Sequence, residues 1–315
     1  MTAVLGVLLA AGGAQAQQSY PTRPIRLIVP FPAGGQTDIV ARTLAMKFGE
    51  GFKETVVVDN RPGGGGTIGA DIALKATPDA YTLIMVSASY STNAALYKLP
   101  FDPVSDVTPI GLLAETGFVV SVNTSNPARN MKELIAHAKA NPGALNYASG
   151  GTGSSTHLAT ELFNQMAGTR TTHVPYKGTG QGLTDLMSGQ IQVVFAGFNQ
   201  MFPHIKANRV RGLAVTTRKR ANAMPDIPTV ADTVPGYEAV QWFALIGPKG
   251  LPKGLVARWN KEVNRSLQLA DVREKLLNDG VEPAGGTPER FREALQRDIQ
   301  KWQNVVKTAG IKVGS

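Results

Sequence analysis

"IRLIVPFPAGGQTDIVARTLA", residues 25–45, decides the fold class. Ile25–Val29 is an apolar run that reads as a strand. Two prolines and two glycines stop it, and from Asp38 to Phe48 the apolar positions recur at helical spacing. A strand, a permissive turn and a helix in immediate succession form the repeating unit of an α/β protein. The same alternation continues outward. Strands are expected at 55–58, 82–86, 119–122, 146–149, 172–175, 193–196, 210–215 and 242–246. Helices are expected at 68–75, 92–96, 131–140, 156–166, 182–187, 255–267 and 288–306, with a shorter one between the last two. Such alternation predicts layered α/β units with mostly parallel sheets.

The turn at Gly34 and Gly35 has a counterpart in "SGGTGSSTHL", residues 149–158, and a third glycine turn follows in "YKGTGQG", residues 176–182. Glycine brings backbone N–H groups close to a ligand because no Cβ intervenes. The first N–H groups of a helix lack internal partners and carry partial positive charge. Thr37 and Asp38 can cap or begin the first of these helices. Each turn is therefore a potential carboxylate or phosphate cradle, and hydroxyls in the second can donate to an anion without carrying charge. Each also reads simply as a capped strand-to-helix turn. In open α/β sheets, ligands sit at the carboxyl ends of the strands, so two such units would enclose a cleft between them. Tyr176 could wall that cleft and Lys177 could add charge, although both residue types more often lie at the surface.

Other chemistries find little support. The 315 residues carry a net charge of +9, but the longest basic cluster is Arg218-Lys219-Arg220, so nucleic acid is not expected as a partner. There is no cysteine, which removes disulfides, thiolate metal sites and cysteine nucleophiles. In "VVVDNRPGGGGTIGAD", residues 56–71, Gly64, Gly66 and Gly69 match a dinucleotide fingerprint. Asn60-Arg61-Pro62 separates them from the strand, however, and no acid ends the next strand. The G-x-S-x-G and H-E-x-x-H patterns of hydrolases are missing, and His137, His157, His173 and His204 are scattered. No enzyme activity, metal or cofactor is expected; the lesser alternative, an exported hydrolase, would need a nucleophile–base pair that no local signature supplies. Residues 1–16 are apolar and end in Ala14-Gln15-Ala16, which predicts an export signal, without the usual basic start, cleaved near Ala16 to leave the protein in the periplasm.

Taken together, these blocks resemble the substrate-binding receptors of tripartite tricarboxylate transporters, the Bug family. The resemblance is carried by "YPTRPIRLIVPFPAGGQTDIVAR" (20–42), "VVVDNRPGGGGTIGA" (56–70), "NAALYKLPFDPVSDVTPIG" (93–111), "NYASGGTGSSTHLATELF" (146–163) and "HVPYKGTGQGLTDLMSGQIQVVFAG" (173–197). It implies a type II periplasmic-binding-protein (Venus-flytrap) fold, with residues 20–121 plus 240–315 as one domain and 122–239 as the other. It implies a monomer that closes over a small carboxylate and presents it to membrane permease subunits, or alternatively to a signalling partner. The ligand-binding residues it implies are Phe31, Gly34, Gly35, Gln36, Thr37 and Asp38 from the first turn, with Ser87 and Ser89 after the third strand. Ser154, Ser155, Thr156, Tyr176, Ala196 and Gly197 come from the second domain. Asp38 is expected to hold the turn rather than touch the anion. Tyr90, Phe195 and Phe198 fall where the family's cleft wall should be, and the cradles contain no lysine or arginine. These departures count against a tricarboxylate and leave aromatic, dicarboxylic and amino-acid ligands open.

Overall fold

A computed structural model describes residues 20–313; the expected export signal lies outside them. In chain order the elements are β1 (Ile25–Val29), α1 (Gln36–Phe52), β2 (Val56–Asn60), α2 (Thr67–Leu74), β3 (Thr82–Ser87), α3 (Ser89–Leu96), β4 (Val107–Asn123), α4 (Met131–Ala140), β5 (Asn146–Ser149), α5 (Ser155–Ala167), β6 (Thr172–Pro175), α6 (Thr179–Ser188), β7 (Val193–Gly197), α7 (Phe198–Lys206), β8 (Val210–Val215), β9 (Val240–Pro248), α8 (Lys253–Leu267), α9 (Ala270–Asn278), β10 (Glu282–Pro283) and α10 (Pro288–Ala309).

The strands make a curled sheet in the order β2-β1-β3-β9-β4-β7-β5-β6, with β8 and β10 also on β4. Two parallel groups, β2-β1-β3 and β6-β5-β7, form the wings. The centre is antiparallel, because β4 pairs with β7, β8, β9 and β10 in that sense. The expectation of mostly parallel sheet therefore holds for the wings and fails for the strands joining them.

β4 is the element that organises the molecule. Its 17 residues pair with β9 from Val107 to Gly117 and with β7 from Phe118 to Val122. One strand thus belongs to both halves. Only 119–122 of it was expected as strand, because Pro109, Gly111 and Gly117 interrupt the pattern. The register shifts at Pro109–Gly111 and Leu112–Ala114 are bulges, where proline and glycine are tolerated within a sheet.

Each half has apolar cores on both faces of its sheet. In the first, α1 and α8 cover one face through Val40, Leu44, Phe48, Trp259 and Val263, while α2 and part of α10 cover the other. In the second, α4 and α5 pack on one face and α6 and α7 on the other. These are the two α/β domains of a Venus-flytrap fold. The final helix serves both: Phe291, Leu295 and Ile299 join a first-half core, and Trp302 and Val305 a second-half core.

Candidate functional site

The strand registers show where the two halves meet. Ser87, the last residue of β3, stands opposite Phe243 of β9, which stands opposite Ala114 of β4. Gly197, the last residue of β7, stands opposite Phe118 of β4. Both parallel wings therefore end, carboxyl edge first, at Ala114–Phe118, where β4 changes partners. Two residues from Phe243, the Gln241 amide donates to Ser155 Oγ on the first turn of α5 at 3.1 Å. The β3–α3 and β5–α5 turns thus come to the same short piece of β9.

Helices α1, α3, α5 and α7 all start at these strand ends. Among the described residues, the N–H groups of Gln36, Thr37, Ser155 and Thr156 find no protein acceptor. The dipoles of these helices therefore direct partial positive charge at the crossover from both halves.

The first turn is built to keep those groups exposed. Gly34 has φ of 82°, which a side chain would strain. Gly35 caps α1 in an extended conformation without a side-chain bond, so the helix begins at Gln36 rather than Asp38. Phe31 and Gln36 are half-buried beside the exposed glycines. Asp38 is 2% exposed and faces inward. Its carboxylate accepts from Gly34 N–H at 2.9 Å, Arg42 Nε at 2.9 Å and Asn60 Nδ2 at 2.9 Å. Burial pulls its pKa upward, but the bonds from Arg42, Gly34 and Asn60 outweigh it and hold the group below the usual carboxylate range. Asn60 also donates to Phe31 O at 3.0 Å. Asp38 is therefore the bracket of the turn, its charge matched by Arg42.

The second turn has its own bracket. Ser154 caps α5, accepting from His157 N–H, and its hydroxyl lies 3.2 Å from that of Thr156. Thr156 Oγ1 in turn accepts from Gly150 N–H at 3.0 Å. Ser87 and Ser89 share a hydrogen bond of 3.0 Å and line a cavity of only about 10 Å³ with Tyr90 and Phe101, space for about one water. The Tyr176 hydroxyl donates to Asp185 of α6. Ala196 is fully buried, and Gly197 marks the strand end.

Of the three aromatic residues expected along the wall, Phe198 brings its ring against Gly117 of the crossover, and Tyr90 lines the small cavity beside Ser87 and Ser89. Phe195 is fully buried against Phe163. Phe198 is 3% exposed in the α6–α7 core. Tyr90 is buried, stacked on Phe101, with its hydroxyl donating to Pro103 O. The loops missed from sequence are those of α7, whose helical pattern is masked by Pro203.

A cavity of about 620 Å³ does exist between α10 and the segment after β8, reaching Glu115 at the crossover but lined by none of the turn residues. Arg218, Lys219, Arg220, Arg290 and Arg297 line it together with Glu115, Glu238 and Glu282. Charges there are already partly matched, Arg218 with Glu238 at 2.7 Å, whereas the turns present backbone N–H groups from both halves that no protein acceptor occupies. The turns are the better candidate despite enclosing less space.

A sequence profile described as the tripartite tricarboxylate transporter family receptor matches residues 40–311. The chain belongs to this family. Protein BugT of Bordetella pertussis is 35% identical over 320 residues, covering 99% of this chain and 98% of its own. Among solved structures, R. palustris Rpa4515 with adipate is 37% identical, with a TM-score of 0.78 over 93% of this chain and 99% of that one. MatC of Rhodopseudomonas palustris with bound malate is 29% identical, with a TM-score of 0.74 over 91% and 100%. As a family receptor the protein is a periplasmic solute-binding component of a carboxylate uptake system, not an enzyme.

Proposed function

We propose that this receptor captures a small dicarboxylate at the crossover of β4 and β9 and delivers it to the permease subunits of a tripartite transporter. The observation that carries the reading is the convergence, on one short segment, of helix starts from both halves whose first N–H groups lack protein acceptors. Such groups favour an anion without a fixed cation, so the charge is held and can be let go. Gln36, Thr37, Ser87 and Ser89 would bind from one side and Ser154, Ser155 and Thr156 from the other. Relatives with adipate and with malate support two carboxylates. We take the domains as residues 20–121 with 240–315 and residues 122–239, the protein acting as a monomer. Contacts made from both domains at once would favour the closed form.

The test is a thermal-shift screen of the protein from Gln17 onward against small carboxylates, led by adipate and malate, with their dimethyl esters alongside. At a hundredfold excess over the Kd, binding stabilises by about 2.7 kcal/mol, and the ester should give none of it. Equal stabilisation by acid and ester, or stabilisation by neutral and cationic solutes alone, would overturn the reading.

A further inference from the structure

The β5–α5 turn hangs from a stack of rings that anion binding does not itself require. His157, in the first turn of α5, and His173, on β6, have centroids 3.8 Å apart and planes inclined by 9°. Tyr147 of β5 continues the stack 5.0 Å from His173. His157 Nδ1 accepts from Gly153 N–H at 2.9 Å, so that nitrogen carries no proton. His173 Nε2 lies 2.6 Å from Ser149 Oγ, and the same oxygen accepts from Gly151 N–H at 3.1 Å. Gly151 and Gly153 have φ of 119° and 79°, so the bonded N–H groups belong to the residues that shape the turn.

We propose that His157 and His173 are positioning residues of the cargo grip: as neutral rings they hold the β5–α5 turn in its binding shape, and protonation of His157 releases it. This rests on the reading of that turn as half of the grip. A proton on Nδ1 would set one donor against another at Gly153, and a second charge on His173 would face it across the stack. The groups around the pair do not favour charge. From β5 it meets Tyr147, whose hydroxyl donates to Glu161 Oε1. From α5 the nearby acid is Glu161, occupied by that bond and by Asn164 Nδ2; the turn adds backbone and hydroxyl groups. Burial, and secondarily His173, push the His157 pKa down to about 4, and burial lowers that of His173.

His157→Asn separates the alternatives, because its Oδ1 can replace Nδ1 as the acceptor but does not titrate. Hydrogen–deuterium exchange of a peptide covering residues 149–158 would be compared at pH 7.5 and 4.5, corrected for intrinsic rates, with far-UV circular dichroism confirming the fold. Wild type should lose about tenfold in protection at pH 4.5, the equivalent of one hydrogen bond, while His157→Asn keeps its protection. Equal protection of the wild-type turn at both pH values, or equal acid sensitivity in both proteins, would overturn the proposal. In parallel, calorimetry with adipate should show the wild-type to His157→Asn affinity ratio falling about tenfold over the same range, since adipate's own titration is common to both. A turn that opens in acid with that ratio unchanged would leave the histidines as supports of a turn that does not grip, and would defeat the reading of the site itself.

Discussion

Gly34 and Gly35 are neighbours with different tasks. Gly34 needs its positive φ, while Gly35, at φ −73°, could accept any side chain. A Cβ there would meet nothing closer than Pro32 O at 3.4 Å. Gly35→Val should therefore keep the wild-type melting temperature and lose at least tenfold in carboxylate affinity, because the branch would stand where the anion approaches the helix start. Unchanged affinity would move the grip elsewhere. Asp38 reverses that pattern. Asp38→Asn keeps one acceptor but loses the charge that Arg42 faces, and should cost about 1–3 kcal/mol. Because the folded-state pKa of Asp38 lies below its unfolded value, its contribution is complete above about pH 4 and lost as pH falls through the folded value. The variant should lack that part of the acid limb in melting temperature against pH; an identical limb would remove Asp38 as its source.

Among elements, α6 shows how small residues set the wing packing. A Cβ on Gly182 would lie 2.4 Å from Ala148 Cβ on β5. Gly182→Ala should destabilise by about 1–3 kcal/mol despite the better helix propensity of alanine, as urea unfolding would measure; a neutral or stabilising result would mean α6 shifts freely on β5. The glycine turns, the wing strands and the helices behind them were legible from local pattern because each is a short, self-contained unit. β4 was legible only in its second part, since its bulges carry residues that break strand patterns and are tolerated through pairing with distant β9 and β10. The inward face taken by Phe195 was not legible for a related reason. Which face of β7 receives Phe195 depends on the layer packed behind it, and that layer includes α10 from the far end of the chain. The inward role of Asp38 was foreseeable, because an acid at an anion site has to be neutralised; Arg42 pairs with it at i,i+4 on the same helix, whereas Asn60 was visible only once β2 lay beside α1.

At the scale of the whole molecule, the two wings are joined by β4, by the passage from β8 to β9, and by α10 lying across both cores. A rotation about Ala114–Phe118 and Val240–Phe243 would bring the helix starts together without breaking either sheet. Closure over a bound dicarboxylate should reduce the radius of gyration in small-angle X-ray scattering, and Gly35→Val should abolish the change at the same adipate concentration. A wild-type curve unmoved by a saturating ligand would exclude closure as the response.

The placement of β9 also bears on how the chain reaches its compartment. Between β3 and β4 lies a strand delivered more than a hundred residues after β4 itself. Until residues 240–248 arrive, the first half lacks its central strand, and without α10 both halves leave apolar surface uncovered. A chain threaded through a membrane from its N-terminus therefore stays unable to complete either domain until most of it has crossed, and so remains loose enough to be threaded. A truncation ending at Asp232 should accordingly stay protease-sensitive and show no cooperative melting, whereas a cooperatively folded fragment would mean that one half can complete its core without β9 and α10.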